Sequence, residues 1–353
     1  MPKLLRFTVF SVRDLLVSSG PALLLILLAL VLIYYWADPN PPKHVTLAAG
    51  QDNGAYEKFA KQYQALLKRQ HIQVKIKVSE GSQENLQNLK NPQSGVDLAF
   101  VQSGSTDEEA AQRQGLISLG SLFKEPIWIF YKAPQALTEL KQLRGLRLNV
   151  GQEGTGVPRL LRQILGLNGI EPKEMALSHL DDTPATVALL EDKIDALAFV
   201  AAPEAPLVQM LLQTPGIQLF DFSQAEAYSR HLPFLSHLVL PRGIVDFGRN
   251  IPAQDVHLIA PTATLVARAD IHPGLVQLFV QAASKVHGGA GWFRHRGEFP
   301  SANYTEIPVA PQAERYYQNG EPWMQRYLPF AIANFFDRMW VFIVAFGALV
   351  LPL

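Results

Sequence analysis

Between Arg147 and Leu167 the chain reads RLNVGQEGTGVPRLLRQILGL. The first residues read as a short strand and the middle as a glycine-rich turn. The end repeats leucine and isoleucine at helical spacing. Strand, glycine turn and helix in succession is the unit of α/β sheets. It places the turn at the carboxyl end of a strand, where such folds hold ligands. A phosphate-cradling P-loop fails here, because Val157-Pro158 follow the last glycine in place of Lys-Ser/Thr. The dinucleotide pattern fits poorly, since the order is Gly151-x-x-Gly154-x-Gly156 with no confirming acid nearby. Two readings stay open. Free backbone N–H groups at the start of the helix hold an anion, with Thr155 or Gly156 as cap and Pro158 in the first turn, or the stretch is an ordinary glycine turn.

The same alternation runs outward from this point, from about His44 to Arg326. HVTLAAG, IQVKIKV, VDLAFV and EPIWIFYK read as strands, the last too apolar for a sheet edge. AYEKFAKQYQALLKRQ is an amphipathic helix with Tyr56, Phe59, Tyr63, Leu66 and Leu67 on one side. SQENLQNLK is a short helix with Ser82 as N-cap. LRGLRLNVG opens a second set, with helices from Pro158, Pro184 and Glu204 and the strand DALAFV. TATLVARAD then leads back to the first set, and PGLVQLFVQAASKVH is a long late helix. Alternating strands and helices imply parallel sheets covered on both faces, in two lobes around a cleft. The expected division is 1–37 cytoplasmic N-terminus and membrane anchor, 38–43 linker, 44–132 lobe I, 133–240 lobe II, 241–326 the return part of lobe I, and 327–353 a C-terminal membrane-associated segment. Hinges are expected near Ala133 and Pro241.

The ends point to a membrane. Lys3, Arg6 and Arg13 precede PALLLILLALVLIYYWA, which carries no charge; counted from Leu15 the segment is long enough for a bilayer of roughly 30 Å. An uncleaved anchor with a cytoplasmic N-terminus is expected, because Tyr-Trp-Ala before Asp38 is a poor cleavage site. Met339 to Leu353 is apolar but as a helix covers only about 22 Å, so a second span is expected to be cut short in this sequence. Lys+Arg and Asp+Glu are both 31, which gives nucleic acid no basic face to meet. There are no cysteines, which removes disulfides, thiolate metal sites and a cysteine nucleophile.

Catalytic patterns are missing. Ser103 in VQSGS lacks the glycine of a nucleophile elbow, and no two histidines stand at His-x-x-x-His spacing. His287 and His295 flank a glycine turn as capping and surface residues. Asp181 and Asp182 read as helix N-caps, and Asp97 and Asp195 as structural residues opening strands.

Taken in order, Gly50…Gly54-Ala55-Tyr56, EGSQENL, VDLAFVQSG, LRGLRLNVGQEGTG and KIDALAFV resemble the TAXI family, the solute-binding subunits of tripartite ATP-independent periplasmic (TRAP) transporters. The resemblance continues through LPRGIVDFGRNIP, HPGLVQLFVQAASKVHGG, RGEFPS, AERYYQNGEPWMQRYLPF and DRMW, and is to a membrane-anchored subgroup. It implies an α/β, two-lobed periplasmic-binding-protein fold of type II-like topology that closes on a small organic acid such as glutamate, 2-oxoglutarate or a dicarboxylate. It implies no enzyme activity, cofactor or metal, and as partners TRAP permease membrane subunits and the lipid bilayer. The location implied is the bacterial inner membrane, with the binding domain in the periplasm or outside the cell. A membrane-tethered ligand sensor is the alternative function. By position, the ligand-binding residues would be Gly54, Tyr56, Ser82, Asn85, Gln102, Ser103, Gly154, Thr155, Gly156, Ala201 and Pro203. Two departures stand out. Glu80-Gly81-Ser82 replaces the family's Gly-Gly-Ser, and Asn53-Gly54-Ala55-Tyr56 replaces its double-glycine, double-tyrosine turn.

Overall fold

The computed structural model describes residues 40–52 and 54–328, with a few positions outside them (24, 28, 32, 330, 332–335, 340 and 344). Residues 42–320 form one compact unit, described here; the ends, 1–41 and 321–353, form another. The expected anchor and most of the apolar C-terminal stretch lie outside the described residues. Among those described, no helix is long and apolar enough to cross a membrane.

The chain starts with β1 (His44–Ala48), α1 (Ala55–Lys68), β2 (Gln73–Lys77), α2 (Ser82–Lys90), β3 (Leu98–Gln102), α3 (Glu108–Arg113) and β4 (Leu116–Lys124). It continues with β5 (Ile127–Tyr131), β6 (Arg147–Asn149), α4 (Val157–Leu167), β7 (Ala176–Ser178), α5 (Asp182–Leu190), β8 (Ala196–Val200), α6 (Pro206–Gln213), β9 (Gln218–Leu219) and α7 (Ala225–His231). An antiparallel pair, β10 (Ser236–Leu240) and β11 (Val256–Ala260), follows. Then come β12 (Thr262–Arg268), α8 (Pro273–His287) and α9 (Pro311–Asn319).

Two five-stranded sheets result, ordered β2-β1-β3-β12-β4 and β7-β6-β8-β5-β9. In each, the first three strands are parallel and the fourth runs against them. The sheets are therefore mixed, where alternation alone implied parallel ones. The antiparallel strand is in each case the one that arrives from the other lobe: β5 follows β4, and β12 follows β11. The crossings accordingly lie at Glu125-Pro126 and at Pro261, which corrects the positions near Ala133 and Pro241. EPIWIFYK belongs to the second sheet, not the first. An apolar run signals burial but does not say which sheet buries it.

β5 is buried along its whole length. Ile127, Ile129 and Tyr131 join one apolar cluster, with Leu160, Leu161 and Ile164 of α4. Trp128 and Phe130 join another on the opposite face, with Ala185, Leu189, Val208 and Leu211 from α5 and α6. The sheet is thus covered on both sides.

Side chains secure the loops by the same device in both lobes. Asp97 accepts from Thr46 N–H at 2.8 Å, and Asp195 from Arg147 N–H at 2.8 Å, each tying the start of a third strand to the first. Asn149, fully buried, accepts from Leu180 N–H at 2.8 Å and the Ser178 hydroxyl at 3.0 Å. Asn85, also fully buried, donates to the Ala49 carbonyl and, at 2.9 Å, to the Phe100 carbonyl, while Ser79 Oγ donates to it at 2.6 Å. His287 is not on the surface as expected. It is fully buried among Phe59, Tyr63 and Phe123, and desolvation lowers its pKa to about 3.

Asn85→Ala would remove a donor from two buried carbonyls and an acceptor from the Ser79 hydroxyl, which keeps only a 3.4 Å bond to the Ala49 carbonyl. At 1–3 kcal/mol per unsatisfied group, a loss of about 3 kcal/mol is expected. Urea unfolding would show it as a lower midpoint at similar slope.

Candidate functional site

A cleft of about 600 Å³ lies between the lobes, beyond the carboxyl ends of the parallel strands. Small residues after those strands line it: Gly50 after β1, Gly81 after β2, Gly151 after β6 and Ala201 after β8. The starts of α1, α2, α4, α5 and α6 all border it, and none is capped by a side-chain hydrogen bond. Their unsatisfied N–H groups give the cleft a positive field.

The floor is polar and buried. Glu125, 5% exposed, sits at the first crossing, and its backbone N–H donates to the Pro261 carbonyl of the second crossing at 2.9 Å. Tyr56 Oη donates to Glu125 Oε2 at 2.8 Å, and the Gln102 side chain hydrogen-bonds to the same carboxyl. Burial raises Glu125 to about 7, against the lowering effect of these two bonds. Burial, and then the neighbouring Glu125, hold the Tyr56 phenol well above its ordinary value, so it stays a donor. Its ring stacks on Phe100 at 5.1 Å.

The rim is acidic. Glu80, Asp181 and Glu204 are exposed there, and Asp182 is raised to about 6, chiefly by desolvation and then by Asp181. Lys58 is the single base among the lining residues. The lobes meet at this rim. Gln51 Nε2 donates to Gln152 Oε1 at 2.8 Å and to Asp181 Oδ1 at 3.1 Å. The Gly154 turn is packed so close to Glu80 that a Cβ added at Gly154 would collide with the Glu80 Cβ and carboxylate. Gly156 approaches Gln102 in the same way.

A model of the NMT1-like family matches residues 48–319, more than three quarters of the chain. The chain belongs to the NMT1-like family. Several solved structures are similar. A protein of Bordetella bronchiseptica RB50 is 17% identical with a TM-score of 0.49, over 69% of this chain and 70% of that one. The periplasmic aliphatic sulphonate binding protein SsuA from Escherichia coli is 15% identical with a TM-score of 0.46, over 84% and 79%. PhnD1 from Prochlorococcus marinus MIT 9301, in complex with methylphosphonate, is 14% identical with a TM-score of 0.45, over 69% and 84%.

In this NMT1-like chain the cleft gathers Gly54, Tyr56, Ser82, Gln102, Thr155, Gly156 and Ala201 from the residues expected at a site. Asn85, Ser103, Gly154 and Pro203 are not among its lining. Asn85 secures strand ends. Ser103 clamps the second crossing, its hydroxyl accepting from Thr262 N–H at 2.7 Å and donating to the Phe234 carbonyl at 3.0 Å. Gly154 serves the contact with Glu80. One cap differs from expectation, and one is decided between two alternatives. Ser82 is the first residue of α2 behind Gly81, and its hydroxyl accepts from Gln102 N–H at 2.7 Å. Thr155 turns its hydroxyl onto the Gln152 carbonyl at 2.7 Å, leaving Gly156 as the N-cap of α4. Asp181 holds the N-cap position of α5 without a side-chain bond to it. Glu125 escaped the sequence reading. Its one signal was an acid set inside an apolar run, LFKEPIWIF.

The folded carboxyl of Glu125 keeps its proton up to about pH 7, whereas an unfolded one releases it near 4.5. The folded state therefore binds more protons in that window, and stability falls as pH rises across it. A shift of this size corresponds to about 3 kcal/mol. Glu125→Gln is expected to flatten the slope between pH 4.5 and 7, read by denaturant unfolding at several pH values; an unchanged slope would contradict the burial of the charge. Asp182 adds a smaller contribution of the same sign.

Gly154→Ala forces the rim apart, because the Cβ of Glu80 moves only with its backbone. The cost of such overpacking is about 1–3 kcal/mol. Solution scattering is expected to give a larger radius of gyration than wild type, and an equal radius would mean that the contact yields locally.

Proposed function

We propose that this chain is a solute-binding receptor of the TAXI type, which closes its two lobes on a small solute outside the cytoplasm and delivers it to a TRAP permease. The observation that carries this is the cleft between two lobes that the chain connects at two adjacent crossings, with five uncapped helix N-termini turned toward it. Two adjacent crossings are where a hinge motion between lobes would be absorbed. Membership in the NMT1-like family and the two-lobed architecture support the reading. The proposed anchor, a leader of apolar residues before Asp38, would hold the receptor at the membrane surface near its permease. No enzyme activity is assigned.

A small organic acid is the solute that the resemblance implies. The helix N-termini favour it, since exposed N–H groups and the helix field hold carboxylates without an arginine. The acidic side chains of the cleft oppose it.

A thermal-shift screen of the purified full chain, with organic acids, amino acids, amines and sugars, tests the receptor reading. A solute at 100 times its dissociation constant adds about 2.7 kcal/mol, a shift of a few degrees. A shift accompanied by a smaller radius of gyration supports the proposal. No shift with any class would sink it.

A further inference from the structure

The cleft floor bears a carboxyl for which the described residues supply no cationic partner. Glu125 is 5% exposed, and the groups that favour its charged form, Tyr56 and Gln102, are themselves uncharged. Both donate to it, so its role is that of an acceptor. An ionised carboxylate offers about four lone-pair positions, and two are taken. The rest are open to a ligand entering the cleft that Glu125 lines.

The field points the same way. Five helix N-termini at about half a charge each supply roughly +2.5. Against them stand Glu125 at the floor, Asp182, and Glu80, Asp181 and Glu204 at the rim, with Lys58 as the lone cation. Such a cleft gives a free anion little net attraction. An acidic mouth raises the local concentration of cations. The side walls are hydrocarbon, supplied by Phe59, Phe199, Val200 and Leu207.

We propose that the solute's buried end is a protonated amine seated on Glu125, carried on a largely apolar body. This rests on the receptor reading above and names its solute class. The ammonium pairs the carboxyl and offsets the cost of burying it. A carboxylate elsewhere on the solute is compatible with this seat, because the helix N-termini can hold it. Simple amines and apolar amino acids share the required group.

Matched sets separate these sources. One is leucine, 3-methylbutylamine and 4-methylpentanoate; another is phenylalanine, 2-phenylethylamine and 3-phenylpropanoate. Titration calorimetry on the full chain at pH 8 keeps Glu125 ionised and the amines protonated. In at least one set, the amine-bearing members are expected to bind at least tenfold tighter than the deaminated acid. Glu125→Gln is expected to lose at least tenfold toward them and to bind the acid no more weakly than wild type. Preference for the bare amine assigns a cationic solute; preference for the amino acid adds a carboxylate at the helix ends. The proposal is overturned if the acids bind as well as the amines, if Glu125→Gln leaves amine binding unchanged, or if no amine in either set binds. Should that variant fail to fold, the wild-type comparison within each set decides. Binding of the acids alone leaves the receptor reading standing and removes the amine; silence across the broad screen removes the receptor itself.

Discussion

The hydrogen bond from Glu125 N–H to the Pro261 carbonyl, at 2.9 Å, is the constraint on which the rest of the arrangement depends. It pairs the outgoing and returning strands of the chain where they pass between lobes. Two residues separate β4 from β5, and one separates β11 from β12. Connections that short leave no slack, so each crossing strand must enter the neighbouring sheet at once. That is why each sheet's fourth strand is antiparallel to the three before it. It also fixes where Glu125 is: a side chain at the outgoing crossing faces the space between the lobes. Ser103 reinforces the returning crossing with bonds to both Thr262 and Phe234.

Around this centre the two lobes repeat one physical solution. The parallel strands end in small residues, which lets the following helices start close to the cleft. Backbone groups released at those turns need partners, and a buried asparagine supplies them in each lobe. An aspartate at the start of the third strand anchors the first strand's backbone in each lobe. The division of labour matters for function. Side chains that secure turns are buried and spent, which leaves the helix N-termini and the floor residues free to meet a solute.

Much of this was legible because periodicity reports burial. The stretch from Ser82 to Lys90 and that from Pro273 to His287 are helices over the residues their patterns marked. The glycine turn after Asn149 leads into a helix at the cleft, as strand–turn–helix logic required. Sheet membership was not legible. EPIWIFYK is as apolar as either lobe demands, and only pairing with β8 and β9 assigns it. LISLGSLFK went unread because its glycine and serines mask the alternation, although Ser118 and Ser121 are fully buried. At the site, small residues on strand ends were readable as a class. What was not readable is which polar side chain turns inward to the backbone. Asn85 and Gln102 look alike in sequence; one bonds to carbonyls, the other reaches a carboxyl at the floor.

Glu125 breaks the local rule that charge avoids apolar strands, and the size of the violation is informative. Raising a carboxyl from 4.5 to about 7 corresponds to roughly 3 kcal/mol at neutral pH and above. Domains of this kind are stable by only about 5–15 kcal/mol, so the burden is a sizeable fraction. A glutamine at the same place could still accept from Tyr56 without burying a charge. The hydrogen-bond network therefore does not require an acid; only a charge, or a proton, distinguishes the two residues. Glu80, Asp181 and Glu204 at the rim remain in water and cost little, whereas this one is buried beside Tyr56 and the crossing strands. A strained electrostatic position inside a cleft is where local consistency gives way to function. The partner that relieves it has to arrive from outside the chain.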